Sequence, residues 1–278
     1  MADGKIIVLV ENTAGGRGLL GEHGLSFWIE LGGQRVLFDT GQGHALLNNA
    51  QRLGIRLDQV DAIALSHGHY DHAGGLSEVL RIAPRATLHV HRAAFESKYA
   101  CDPNGRSRDV GMSVRDRQAI GRNAQIAWVE GPTAIGAGLN LTGPVPRTTD
   151  FEDTGGAFFK DPDCIRADDL VDDQAAFVET AVGTVVILGC AHAGVVNTLR
   201  HVRSLTDGKP IHTVIGGMHL LNAGPKRMDK TVVELRRLDV QHLLPCHCTG
   251  FAPTLQLWNW FPGRCSLCRV GTAIEMPG

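Results

Sequence analysis

Apolar residues fall in short runs bounded by glycine-rich turns, and these runs alternate with segments of helical spacing. Lys5–Glu11 reads as a short buried strand. Leu25–Leu31 and Gln34–Asp39 flank Gly32-Gly33, the composition of a two-residue hairpin. Gly43–Leu53 has apolar positions at helical spacing and runs out at Gly54, which suits a helix C-cap. Val60–Ser66 predicts another strand and leads straight into His67. Leu76–Ala83 predicts a short helix stopped by Pro84, with a strand over Thr87–His91.

The later chain repeats this order. Ala175–Thr180 and Thr184–Leu188 form a second apolar hairpin around Val182-Gly183. The turn Gly189-Cys190-Ala191-His192 follows, then a helix over Val195–Leu205. A strand at His212–Ile215 ends at Gly216-Gly217-Met218-His219. A helix over Lys230–Leu238 and a strand at His242–Leu244 lead to Pro245-Cys246-His247. Hairpin, turn, helix, strand and histidine thus occur twice, the pattern of an internal duplication. Two such αβ units packed sheet against sheet, with helices outside, give four layers. The expectation is one domain over residues 1–278. Two irregular stretches, Cys101–Arg117 and Gly143–Asp173, read equally as flaps over a site or as surface connections.

Composition excludes several classes. Of 278 residues, 43% are hydrophobic and 20% charged, as in an ordinary globular protein and unlike a disordered or coiled-coil chain. The formal charge of −2 gives nothing to attract nucleic acid or an acidic membrane surface. Met1–Val10 lacks the long apolar core of a secretory leader, and no run reaches the length of a membrane span. Seven cysteines, an odd number, then predict reduced thiols and a cytoplasmic protein. Cys246, Cys248, Cys265 and Cys268 form C-x-C and C-x-x-C pairs. Their spacing is unusual for a structural zinc, so ordinary thiols are expected. Trp258-Asn259-Trp260-Phe261 is an aromatic cluster expected to pack into the core. Oligomeric state is not encoded in anything this pattern shows.

The excess of glycine (34) and histidine (13) has its chemistry in one segment, Ser66-His67-Gly68-His69-Tyr70-Asp71-His72-Ala73-Gly74-Gly75. Four metal-competent side chains lie within six residues, at the end of an apolar strand. In such a turn His67 and His69 can point to one metal, while Asp71 and His72 face a second. Imidazole and carboxylate donors suit zinc, and also manganese or iron.

The segment resembles the signature of the metallo-β-lactamase superfamily, and Leu37-Phe38-Asp39-Thr40-Gly41 resembles the strand-end motif that precedes it. The resemblance implies an α/β fold, an αββα sandwich of two similar halves, and one or two divalent metal ions. It implies His67, His69, Asp71 and His72 as ligands, with Asp39 orienting a ligand histidine. Family members add a histidine, a bridging aspartate and a final histidine from later strand ends. Here those turns offer His192, His219 and His247 but no acidic residue, so the aspartate is either absent or replaced by His192, Cys190 or His219. His192 and His247 are the expected further ligands, and His219 is either a ligand or a group facing substrate. Glu11-Asn12-Thr13, Glu22-His23-Gly24, Gly143-Pro144-Val145-Pro146-Arg147 and Pro245-Cys246-His247-Cys248-Thr249-Gly250 are similar to one branch of that superfamily. Its named member is a dihydropterin ribofuranosyl-aminobenzene phosphate synthase.

The activity implied is hydrolysis by a metal-activated water, with Asp71 and His219 as the reacting-site groups. The substrate would be a small ester, lactone or phosphoester. Alternatives on the same fold are a transferase or synthase of pterin-type metabolism, or a non-hydrolytic redox or ligand-sensing module. Arg106, Arg108 and Arg147 are candidates for an anionic substrate group, and His23 for the cleft wall. No nucleophile elbow, P-loop or dinucleotide fingerprint is present.

Overall fold

The computed structural model describes residues 4–123 and 125–276. The first half contributes strands β1 (Gly4–Val10), β2 (Ser26–Leu31), β3 (Gln34–Phe38), β4 (Ala62–Ala64), β5 (Thr87–Val90), β6 (Tyr99–Cys101), β7 (Ser107–Asp109) and β8 (Gln125–Trp128). Its helices are α1 (Leu46–Arg52), the single turn α2 (Tyr70–Ala73), α3 (Leu76–Ile82) and α4 (Val114–Asn123). The second half contributes β9 (Thr133–Gly136), β10 (Leu139–Leu141), β11 (Phe158–Phe159), β12 (Ala175–Thr180), β13 (Gly183–Leu188), β14 (Ile211–Gly217) and β15 (His242–Cys246). Helices α5 (Val195–Leu205), α6 (Pro225–Arg237) and α7 (Phe251–Trp260) follow, and β16 (Ala273–Met276) closes the chain's described part.

Two large sheets carry the duplication. One has the order β16-β1-β2-β3-β4-β5-β8 and the other β15-β14-β13-β12-β10-β9. In the first, β2 pairs antiparallel with β3, and β3, β4 and β5 then run parallel. In the second, β12 pairs antiparallel with β13, and β13, β14 and β15 run parallel. The predicted repeat is therefore a repeat of strand pairing.

Alternation along each strand sorts side chains into layers. Phe27 and Ile29 of β2 face Val185 and Ile187 of β13 in the core between the sheets. Trp28 of β2 points the other way, to Leu46 and Ala50 of α1 and Val79 of α3. Val186 and Leu188 likewise turn outward to Val195 and Leu199 of α5 and Leu235 of α6. Each such side chain contributes about 1.5–3 kcal/mol on burial. A one-residue slip in register would turn a whole strand inside out. The four-layer αββα order follows from this pattern.

Several expectations need correction. The helix predicted from Gly43 forms only over Leu46–Arg52, because the preceding loop is held by Glu22, which accepts from the amides of Gln42, His44 and Ala45. The helix predicted from Lys230 begins at Pro225, where proline fits the first turn. Trp258 and Trp260 are not core. They sit on α7 with 41% and 47% exposure, and only Phe261 is buried. The thiols are not all reduced, since Cys101 and Cys164 form a disulfide while the other five cysteines are free.

The stretch Cys101–Arg117 contains β7 and the start of α4. A small third sheet, β11-β6-β7, stitches it to the stretch Gly143–Asp173 through Tyr99 opposite Phe159 and Ala100 opposite Phe158. The disulfide joins the same two segments. No described helix is long and apolar enough to cross a membrane.

Candidate metal centre

Ends of the parallel strands converge on one edge of the sandwich, the place where open α/β sheets present ligands. Asp39 follows β3, His67 follows β4, Cys190 and His192 follow β13, His219 follows β14 and His247 follows β15. Close approach demands glycine here, as two positions show. A Cβ on Gly68 would run into the Ala94 backbone, and one on Gly189 into the Ser66 side chain.

The side chains form two clusters. In the first, His67 Nε2 lies 2.9 Å from His69 Nδ1 and 3.3 Å from His192 Nε2. The far nitrogen of His192, Nδ1, donates to the Thr154 carbonyl at 2.8 Å. That of His67 donates to Ser66 Oγ at 2.9 Å, and Ser66 Oγ in turn donates to Asp39 Oδ2 at 2.7 Å. Those bonds fix the tautomers, so the inner nitrogens of His67 and His192 carry lone pairs. Protonation is no remedy. Burial, and then the crowding of neighbouring imidazoles, pushes His67 well below the usual range. Burial takes His69 down to about 3, and His192 is well lowered by burial and His219. The lone pairs of His67 Nε2 and His192 Nε2 and the Nδ1 edge of His69 converge on one point with no imidazolium charge among them, an arrangement that a cation satisfies.

In the second cluster, His72 Nε2 lies 3.3 Å from His247 Nε2 and 3.1 Å from Cys190 Sγ. Asp71 Oδ2 is 3.4 Å from His247 Nε2 and 4.0 Å from His72 Nε2. Here the outer nitrogens are also fixed, His72 Nδ1 on Asp39 Oδ2 at 2.7 Å and His247 Nδ1 on Asn12 Oδ1 at 2.8 Å. Burial opposes a charge on His72, but the Asp39 and Asp71 carboxylates overcome it and raise this imidazole to about 9. Asp71 is itself held well below the carboxylate range: burial works against its charge, and His72, His23 and His247 outweigh it. This cluster attracts positive charge. Cys190 belongs to both, with an atom within 4.8 Å of His67 and His72 and of His192 and His219.

Metal-competent sets among the described residues therefore include every predicted ligand: His67, His69, His192, Asp71, His72 and His247. His219 stands beside the first cluster, its ring 4.4 Å from that of His192, with Nδ1 buried and unpartnered. Burial, with His247 and Arg227 adding to it, lowers it to about 4, so it is neutral at pH 7. His23 Nε2 is 3.2 Å from Asp71 Oδ2 at the cleft wall. Four residues around the clusters adopt left-handed backbone without being glycine: Asp39, Ala191, His219 and His247, with φ of 62°, 53°, 45° and 50°. Each costs on the order of 1–3 kcal/mol, a burden that concentrates at functional sites.

Other supports were not visible in the sequence. Glu11 accepts from the His247 amide at 2.9 Å. Asp172 accepts from the Gly68 amide, between the two histidines, at 2.7 Å, and its other oxygen receives Lys98 Nζ at 2.8 Å. Lys98 is 1% exposed and also reaches Asp168 at 3.2 Å. Phe158, in the segment bound by the small sheet, packs on His69 and His192 with ring centroids 5.0 and 5.2 Å away. Of the arginines, Arg108 lines the cleft, whereas Arg147 is turned to the Asp169 carbonyl and Arg106 lies off the cleft wall. The four C-terminal cysteines do not form one cluster: Cys246 meets Cys268 in the inter-sheet core, Cys265 belongs to an outer one, and Cys248 lies beside Cys190 and His247.

The metallo-beta-lactamase superfamily model matches residues 20–210. The chain belongs to that superfamily. An uncharacterised protein of Methanocaldococcus jannaschii, MJ0448, is 31% identical over 253 residues, covering 91% of this chain and 93% of that protein. The 7,8-dihydropterin-6-methyl-4-(beta-D-ribofuranosyl)-aminobenzene-5'-phosphate synthase of the same organism is 29% identical over 262 residues, covering 89% of this chain and 88% of its own. The crystal structure of Tm1679, a metal-dependent hydrolase of the beta-lactamase superfamily, superposes with a TM-score of 0.85 at 31% identity, over 99% of this chain and 100% of that one. The superfamily and its fold thus agree with the strand-end signature and with the duplicated sheets. Divalent metal binding is the chemistry that this fold and these donors share.

Proposed function

We propose that the chain is a metal-dependent hydrolase of a small ester, lactone or phosphoester. His67, His69 and His192 would hold one divalent metal, and Asp71, His72 and His247 a second. The observation that carries this reading is the meeting of His67 Nε2, His69 Nδ1 and His192 Nε2, three buried imidazoles held uncharged. Cys190, within reach of both clusters, would stand in for the acidic residue that the later turns lack. Five imidazoles with one carboxylate and one thiol favour zinc, and manganese or iron would use the same nitrogens and carboxylate. When bound, such ions supply Lewis acidity and bring a water ligand's pKa towards neutrality.

The chain's own groups do the rest. Asp39, Asn12 and the Thr154 carbonyl hold three ligand rings in one tautomer and one orientation. Neutral His219, whose ring lines the cleft with Nδ1 buried behind it, would offer a substrate oxygen a hydrogen bond through its other nitrogen. Phe158 keeps one flank of the first cluster dry. The cleft of about 550 Å³ matches a small molecule.

The test is metal analysis together with a panel of esters, lactones and phosphodiesters, on wild type and His69→Ala. Wild type should carry metal and turn over at least one class, and the variant should lose both. A metal-loaded protein inert on the whole panel overturns hydrolysis. Full metal content in His69→Ala overturns the ligand assignment. A second reading, group transfer in pterin-type metabolism, is supported by the extent of similarity to the Methanocaldococcus synthase. Products settle between the two: a coupled product formed without net hydrolysis favours transfer.

A further inference from the structure

We propose that Arg108, with Tyr70, forms a recognition subsite for an anionic group, a carboxylate or phosphate, carried by the substrate away from its scissile bond. The inference rests on the hydrolase reading above and names the substrate class for that same cleft.

Arg108 is placed by backbone pairing to the metal-binding turn. The Tyr70 amide donates to the Val110 carbonyl at 3.0 Å, and His69 bridges to Gly111. The segment that carries Arg108 is therefore laid along the His67–His72 turn. Residues 108 and 110 both line the cleft, as alternate residues of an extended strand must. Asp109, between them, turns back to accept from the Gly111 amide at 2.9 Å. The strand is held from its other edge too, because β7 pairs with β6, β6 with β11, and Cys101 is bonded to Cys164.

What Arg108 touches is informative. Its guanidinium carbon is 5.7 Å from the centre of the Tyr70 ring, and Nη1 is 3.5 Å from the Tyr70 hydroxyl. Among the described residues it pairs with no carboxylate. Other arginines at strand or helix ends are engaged by acids, as Arg35 is by Asp61 and Arg92 by Glu130. A guanidinium laid on an aromatic ring, with its fork free and a phenol beside it, is the arrangement that takes a carboxylate or phosphate in two hydrogen bonds. Leu221, Phe251 and Leu267 line the same cleft and are 61%, 84% and 61% exposed. The cleft thus offers a metal-competent floor, a cationic group and an apolar wall. A substrate that fits has a hydrolysable group, an apolar body and a remote anion.

Binding and turnover are measured separately. The metal-loaded protein is titrated calorimetrically with the monoanilides of succinic, glutaric and adipic acids and with their methyl esters. Turnover is followed on the matching p-nitrophenyl monoesters and their methylated counterparts. Wild type should prefer the free carboxylate at one chain length. Arg108→Ala should reduce that preference by about tenfold, chiefly through KM and little through kcat. Arg108→Lys should keep part of it, Tyr70→Phe should lower it by about two- to threefold, and Arg106→Ala should leave it intact. Added salt should erode it in wild type and not in Arg108→Ala. Absence of any carboxylate preference at all three lengths, or its survival in Arg108→Ala, overturns the subsite. A preference seen in binding with no turnover of these esters or of the ester, lactone and phosphodiester panel leaves the subsite standing and overturns hydrolysis.

Discussion

The two side-chain clusters are built from the same two halves but differ in charge. The first is three neutral imidazoles. The second adds the Asp71 carboxylate and faces the Asp39 carboxylate behind His72, so it already attracts a cation. The first cluster relies on geometry alone, its rings held against one another by Ser66, Thr154 and the Gly68 turn. The difference teaches that one centre is assembled by orientation and the other by field. They should therefore fail differently.

The largest effects are expected at the proposed ligands. His192→Ala and Asp71→Ala should each cost more than the ~10–100-fold typical of an outer-shell change. Metal counting on the purified variants should show one equivalent lost in each. Asp39→Asn should weaken both positions by about 10–100-fold, since its carboxylate reaches His72 directly and His67 through Ser66. Metal titration that shows only one position weakened would mean the Ser66 relay carries nothing.

A subtler break tests the thiol. Cobalt-substituted protein should show thiolate-to-metal absorption that Cys190→Ser removes, while five imidazoles and a carboxylate remain to hold the ions. Lys98→Met should destabilise the fold by about 3–5 kcal/mol, because Asp168 and Asp172 are left buried without their cation. Chemical unfolding measures that directly, with metal content as a check on the Gly68 turn.

Stability of the metal-free protein should also depend on pH. In metal-free protein His69 and His219 are held below their ordinary value, to about 3 and about 4. The unfolded chain binds protons there first, so stability falls as pH drops from about 6.5 towards those values. His72 has the opposite sign. Raised to about 9, it adds stability below about 6.5 that is lost as pH rises through 9. Urea midpoints of the metal-free protein should be highest between these limits, and a midpoint independent of pH would contradict both shifts.

Much of this centre was legible because its first half is contiguous. His67, His69, Asp71 and His72 sit in one turn, and strand periodicity alone puts that turn at a sheet edge. His192 and His247 were legible only as histidines beside glycine at later strand ends. The supports were harder, for a physical reason. A buried lysine such as Lys98 is tolerable only when acids from some 70 residues away close over it, and a single sequence shows those acids as a run of surface charge. The Gly143–Asp173 segment was misleading in the same way. Glu152 accepts from the amides of Val196 and Asn197 at the start of α5, and Thr154 orients His192. The exposed tryptophans of α7 mark the converse error, since an aromatic cluster carries no address without knowing which helix face the sheet covers.

The left-handed backbone at Asp39, Ala191, His219 and His247 has an evolutionary consequence. Selection for stability alone would relax such positions, since each gives up free energy that an ordinary turn would keep. A descendant freed from metal chemistry would be expected to lose these conformations before it lost the sandwich, whose core does not depend on them. Their occurrence together after four different strands makes the main chain itself a marker by which loss of the proposed site could be followed.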